Sequence, residues 1–236
     1  MSYLRFPFIL GAVVISLWCG GASGANAAPP NPDLKTAAGS GVQYYLSLPK
    51  GWAPGKKWPI LVAIDGAGHN FPSCFNSFTN ARGARPFIVV VPCVTSNGND
   101  PAEFKAVLSI VEEVQKSSSG EPKFFMTGCS AGGHLTWQFI FMHPELLAGA
   151  APAAGNFRSR GIDAVSKAPE RVKLPIHGFQ GDKDGVKVYL DEQWADAVKL
   201  ARENGYENLT RTEVPGAGHQ AFPSQVVQFF ETLLPK

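Results

Sequence analysis

From Val42 onward the chain alternates between two hydrophobic periods. Val42-Gln43-Tyr44-Tyr45-Leu46, rich in aromatic and β-branched residues, predicts a strand. Ile60 to Ile64 and Phe87 to Val91 are unbroken apolar runs, which suit strands covered on both faces of a parallel sheet. Ser73 to Ala81, between them, predicts a short helix. Asp100 can cap a helix with Pro101 in its first turn, and Phe104, Val107, Leu108, Val111 and Val114 then recur at helical spacing. Lys123 to Thr127 predicts a strand, and Ala131 to Met142 a helix ended by Pro144. Further strands are expected at Leu147 to Ala151, Leu174 to Phe179 and Leu209 to Val214. Helices are expected from about Asp191 to Asn204, stopped by Gly205, and from Gln225 to Leu233. This alternation predicts an α/β domain with a mostly parallel sheet. No internal repeat is present, and residues 28–41 read as a linker-like segment ahead of a domain at 42–236.

The first stretch of the chain does not belong to this pattern. Arg5 is followed by an apolar run from Phe6 to Trp18, small residues, and Ala25-Asn26-Ala27 before Ala28-Pro29-Pro30. That order predicts a secretory signal peptide over residues 1–27, cleaved after Ala27. The run is shorter than the roughly 20 residues of a spanning helix. A lipoprotein signal on Cys19 is the other option, and Trp18 fits it poorly. The protein is therefore expected outside the cytosol, secreted or periplasmic, with no membrane attachment once the leader is gone. Cys74, Cys93 and Cys129 then remain. An odd count in an oxidising compartment suggests a Cys74–Cys93 disulfide and one protected thiol, the alternative being three buried thiols.

Composition narrows the partners. With 21 Lys and Arg against 19 Asp and Glu in 236 residues, the chain has no charge excess with which to bind a nucleic acid. A 44% apolar share is ample for a core.

The candidate chemistry sits at Gly128-Cys129-Ser130-Ala131-Gly132, a G-x-S-x-G pattern with a strand leading in and an apolar helix leading out. That is the order a nucleophile elbow requires, with small residues permitting a strained turn that lifts the hydroxyl above the sheet edge. Cys129 stands one residue early and reads as a small buried hydrophobe. A serine hydroxyl needs a base, and the base needs an orienting acid. His219, in Gly216-Ala217-Gly218-His219 between the last strand and the last helix, is the candidate base. Gly181-Asp182-Lys183-Asp184 follows a predicted strand and offers two acids, of which Asp184 is preferred and Asp182 is the rival.

On these motifs the chain resembles the α/β-hydrolases, and among them secreted esterases related to polyhydroxybutyrate depolymerases and to feruloyl and acetylxylan esterases. Leu48-Pro49-Lys50-Gly51-Trp52, Pro59-Ile60-Leu61-Val62 and Asp65-Gly66-Ala67-Gly68 are similar to that group's entry strands and oxyanion loop. The resemblance implies an α/β-hydrolase fold with helices on both faces of the sheet. It implies a serine esterase with Ser130, Asp184 and His219 as catalytic residues and Ala67 and Ala131 as oxyanion-hole donors. It also implies an ester substrate, some of it polymer-borne. Asp65 departs from the pattern, since many relatives have His there; a hydrogen bond from Asp65 to the loop backbone would keep its charge off the oxyanion.

The remaining features add little chemistry. His69 adjoins the oxyanion loop, whereas His134, His143 and His177 read as packing or surface residues. No H-E-x-x-H, clustered Cys/His spacing, phosphate loop or dinucleotide fingerprint occurs, so neither metal nor cofactor is expected. Asn156 to Lys173 is too short for a cap domain, which predicts an open cleft. Phe71, Phe75 and Phe78 could wall that cleft or pack in the core, and Trp137 is expected in the core. Peptidase or amidase action on the same fold, and a non-catalytic binding role, are the alternative functions.

Overall fold

The computed structural model describes residues 33–162 and 164–235. The expected leader at 1–27 lies outside them. Eight strands form one sheet: β1 (Leu34–Thr36), β2 (Gln43–Ser47), β3 (Trp58–Ile64), β4 (Ile88–Pro92), β5 (Gly120–Cys129), β6 (Leu147–Ala153), β7 (Ile176–Gly181) and β8 (Leu209–Val214). Five helices accompany them: α1 (Phe71–Arg82), α2 (Pro101–Ser117), α3 (Ala131–Met142), α4 (Lys187–Glu203) and α5 (Pro223–Thr232). The strand order is β1-β2-β4-β3-β5-β6-β7-β8. β1 and β2 run antiparallel to their neighbours, and every other pairing is parallel.

Alternate residues of the central strands serve two cores. Ile60, Val62 and Ile64 of β3 with Ile88 and Val90 of β4 face one side, where α2, α3 and α4 pack. Leu61 and Ala63 with Val89 and Val91 face the other, where α1 and α5 pack. All seven residues of β3 are buried, which explains its unbroken apolar run. Each fully buried large apolar side chain contributes roughly 1.5–3 kcal/mol. Helix α3 is enclosed almost all round, from Gly132 to Phe141, so it carries no amphipathic stripe. Trp137 lies in that core, stacked 5.6 Å from Phe141.

Three expectations change. The segment read as linker-like contains β1, which pairs Leu34 with Tyr45 and extends the sheet edge. Helix α4 begins at Lys187, ahead of Asp191, because its first turn carries the exposed Val188 and Tyr189 and so lacks a core-facing pattern. The Cys74–Cys93 disulfide is not formed: Cys74, Cys93 and Cys129 are all free thiols. Cys74 belongs to α1 and is buried with Phe75 and Phe78 in the core beneath the sheet, while Cys93 follows the end of β4.

The parallel register aligns the strand ends. Ile64 pairs with Gly128, Cys129 with Ala153, Ala153 with Phe179, and Gly181 with Val214. The loops leaving β3, β5, β6, β7 and β8 therefore emerge at one rim, where ligands of open α/β sheets bind.

Candidate active site

Ser130 is the first residue past β5 and the cap of α3, with φ 51° and ψ −119°. A side chain is disfavoured in that region, so surrounding bonds must hold it. They do. The Ser130 N–H donates to Ala153 O at 3.2 Å, and Ser130 O accepts from Gly133 N and Asn156 N, each at 2.9 Å. The next glycine fulfils a spatial requirement: a β-carbon on Gly132 would stand 2.5 Å from Asp65 O and 2.7 Å from Ile64 O. The elbow helix thus touches the backbone of the loop leaving β3, and a β-carbon on Gly66 would lie 3.5 Å from Ser130 Cβ.

The strain is not confined to Ser130. His69, Asn97, Ser130, Ala154 and Phe222 all have φ between 43° and 52°. They follow β3, β4, β5, β6 and β8 and so lie on the same rim as the candidate residues, whereas Ser119, with φ 58°, stands at the opposite end just before β5.

Asp184 and His219 meet there. His219 Nδ1 lies 2.7 Å from Asp184 Oδ2. Strands stand about 4.8 Å apart, so the loop after β8 must fold back over β7 to make this contact. It does so through Lys183 N–H donating to Ala217 O at 2.9 Å. Asp184 is buried, whereas His219 is exposed at the rim. Burial raises the carboxyl, but hydrogen bonds from Val186 N–H, His219 and Gln180 outweigh it and hold Asp184 below the usual carboxylate range. An ionised Asp184 accepts only, so the hydrogen bond between them is donated by His219 Nδ1–H, the tautomer whose neutral ring keeps Nε2 as an acceptor. Ser130 Oγ has no hydrogen-bond partner among the described residues.

Asp182 takes a different position. Its Oδ1 accepts from Gly216 N–H at 2.7 Å, and its Oδ2 is 3.9 Å from Lys183 Nζ. It braces the loop that carries His219 but does not touch the imidazole. Gln180 is a site residue that the sequence motifs did not single out. Buried at the end of β7, it donates to Asp184 Oδ2 at 2.7 Å. Lys187, bonded to Asp191 at 2.6 Å and Glu213 at 2.8 Å, fastens the first turn of α4 to β8 just beyond Asp184.

Ala67 is exposed on the loop after β3, and Ala131 opens α3. Neither N–H donates to another group among the described residues; for Ala131 this follows from its place in the first helical turn. Asp65 does not make the expected bond to the loop backbone: its Oδ2 is buried without a hydrogen-bond partner among the described residues. Burial pushes the neighbouring Cys129 thiol up to about 12, and the Asp65 and Asp184 charges add to that shift. Cys129 is thus a protonated packing group, unsuited to attack.

The other aromatic and imidazole candidates separate clearly. Phe75 and Phe78 lie in the core, and only Phe71 reaches the rim, where it stacks 5.9 Å from His69. His177 binds Thr210 and Thr212 hydroxyls at 2.7 and 2.9 Å on the sheet, and His143 binds Glu145 at 3.0 Å. Among the described residues no group of three His, Cys, Asp or Glu could hold a metal ion. No helix among them is long and apolar enough to cross a membrane.

No family model matches the chain, and no curated protein matches it in sequence. Solved structures do. A thermostable esterase superposes with a TM-score of 0.62 at 22% identity over 85% of this chain, which spans only 61% of that protein. A fluorophosphonate-binding serine hydrolase from Staphylococcus aureus gives 0.67 at 13% identity, over 86% of this chain and 97% of its own. The poly(3-hydroxybutyrate) depolymerase of Bordetella parapertussis gives 0.63 at 14% identity, over 83% and 85%. Each is an enzyme built on the same scaffold, and likeness at these identities is one of architecture. By its strand order, its parallel register and these superpositions, the chain has the α/β-hydrolase fold.

Proposed function

We propose that this protein is a serine hydrolase of carboxylic esters, exported from the cytosol behind a leader at residues 1–27. The observation that carries the reading is the Asp184–His219 pair, bonded at 2.7 Å on the rim that also presents Ser130. Ser130 Oγ attacks the ester carbonyl while His219 Nε2 takes its proton. Asp184, held by Gln180 and Val186, fixes the imidazole tautomer and stabilises the cation that forms. The N–H groups of Ala67 and Ala131 receive the tetrahedral oxyanion, where charge develops only in the transition state. His219 then protonates the departing alcohol, leaving an acyl group on Ser130 that water releases by the same route. No step calls for a cofactor.

Between Ala153 and Ile176 the only regular piece among the described residues is a 3-10 turn at Pro169–Val172. A cleft without a cap suits esters attached to something large. The structurally similar depolymerase and a feruloyl esterase module of 17% identity support polymer-borne or aryl esters as substrates.

The test is Ser130→Ala. Turnover of p-nitrophenyl acetate should fall about 10⁶-fold, with an unchanged thermal melt, and a fluorophosphonate probe should label the native protein alone. Retained turnover, or labelling of the Ala variant, would overturn the reading.

A further inference from the structure

We propose that a small polar cavity beside Ala131 is an anion-binding acyl subsite, taking the free carboxylate of an ester whose acyl part is a short dicarboxylic acid. This rests on the serine-hydrolase reading above and specifies its substrate.

The cavity measures about 50 Å³ and is lined by Asn97, Asn99, Ala131, His134, Asn156 and Arg158. None of these is acidic. Asn97 and His134 are each only 4% exposed. Yet Asn97 Oδ1 and His134 Nδ1 have no hydrogen-bond partner among the described residues. Buried polar atoms are nearly always satisfied, so an unpaired atom on each of two residues that line this cavity points to a ligand. Arg158 stands exposed and has no ion pair or hydrogen bond among the described residues.

The lining holds three kinds of donor, the Arg158 guanidinium, the Asn97 carboxamide and the His134 imidazole. Burial and the Arg158 charge both lower the His134 imidazole below its ordinary value, so it stays neutral with one N–H to donate. Asn97 Nδ2 lies 3.4 Å from His69 Nε2, a long contact. A half-turn of the carboxamide places its oxygen on the His69 N–H and frees its NH₂ to donate to a ligand. Guanidinium, carboxamide and imidazole then surround a space of carboxylate size, with one full positive charge to balance the ligand. An alkyl group of the same size would bury these donors unpaired.

Topology assigns the cavity to the acyl half of the ester. His134 belongs to α3, and Phe157, between Asn156 and Arg158, packs in the core on the side of α2, α3 and α4. His219 is flanked by Ala217, Ala221 and Phe222, which pack on the side of α1 and α5. The leaving alcohol must face His219 to be protonated, which directs the acyl chain across Ser130 to the other side. There Ala131 both offers its N–H to the oxyanion and lines the cavity, so a short chain spans the gap.

The experiment compares monoethyl succinate with ethyl butyrate in a pH-stat. The native protein should favour the succinate by about tenfold or more in kcat/KM. Arg158→Gln should bring that ratio close to one, and Lys173→Gln, a charge removed at the opposite end of the sheet, should leave it unchanged. A second arm avoids turnover: in Ser130→Ala, succinate should shift the His134 ring-proton NMR signal saturably, and the added Arg158→Gln change should abolish the shift. A native preference for butyrate or for ethyl 4-hydroxybutyrate, or a preference for succinate that survives Arg158→Gln, overturns the subsite. Failure of both esters to turn over while succinate still binds would sink the hydrolase reading and leave the anion site standing.

Discussion

Gly181 ends β7 beneath the loop that carries His219, and replacing it with alanine tests how closely that loop is held. A β-carbon at this position would overlap the carbonyl oxygens of Ala217 and Gly218, well inside the 3.0 Å that real β-carbons keep. Both are backbone atoms, so neither can swing aside, and the whole loop has to lift. Relieving the overlap takes about 1 Å, a displacement that at a reacting group costs about 10²-fold in rate. The same movement stretches the His219–Asp184 contact from 2.7 Å to beyond hydrogen-bond range. Crowding of this kind destabilises by about 1–3 kcal/mol, which for a domain of this size lowers Tm by roughly 2–12 °C. The assay is kcat for p-nitrophenyl acetate at a temperature where both proteins are folded. Gly185→Ala serves as the control, because nothing lies within 4 Å of its added carbon. A Gly181→Ala protein with the native protein's kcat would show that His219 is not positioned by this contact.

Asp184→Asn should alter the acid limb of stability. A carboxyl lowered in the folded state contributes stability that is fully present above its unfolded value near 3.8 and fades as pH falls through the folded value. The difference in urea midpoint between native and variant protein should thus be constant at neutral pH and narrow in acid; a difference that persists in strong acid contradicts the cited bonds. Tyr206→Phe removes a buried hydroxyl that donates to Ile140 O at 2.6 Å, leaving that carbonyl unpaired, and should cost about 1–3 kcal/mol by thermal denaturation. Burial pushes the Cys93 thiol up to about 11 and Cys129 to about 12. Ellman's reagent at pH 8 should therefore react slowly with Cys74, Cys93 and Cys129 in the folded protein and at once with them in guanidinium, whereas no gain on unfolding would refute their protection by the fold.

The scaffold was legible wherever burial leaves an unambiguous pattern. Strands β3 and β4 are apolar on both faces because helices cover both, and Ala131 to Met142 reads as a helix because its length exceeds a buried strand. Strand β1 was hidden because Leu34–Thr36 is too short to alternate and only one of its residues is even half-buried. The elbow and the histidine loop could be found because their chemistry is written in contiguous residues. No local motif separates Asp184 from Asp182, since what distinguishes them is the reach of each side chain: one to His219, the other to Gly216 N–H. Gln180 and the Asn97–His134–Arg158 cavity are assembled across separate loops and a helix, and no local spacing announces them. The cysteine pairing failed for a related reason: that Cys74 turns into the core is a property of packing.

The left-handed backbone at His69, Asn97, Ser130, Ala154 and Phe222 has a practical consequence for anyone who engineers this protein. A library selected for heat resistance alone would drift towards glycine on these loops, since relaxing each distortion stabilises the fold. Such clones would survive the screen with a slackened mouth and poor turnover. Hardening is better sought at the far end of the sheet, where the strands begin and nothing has to react.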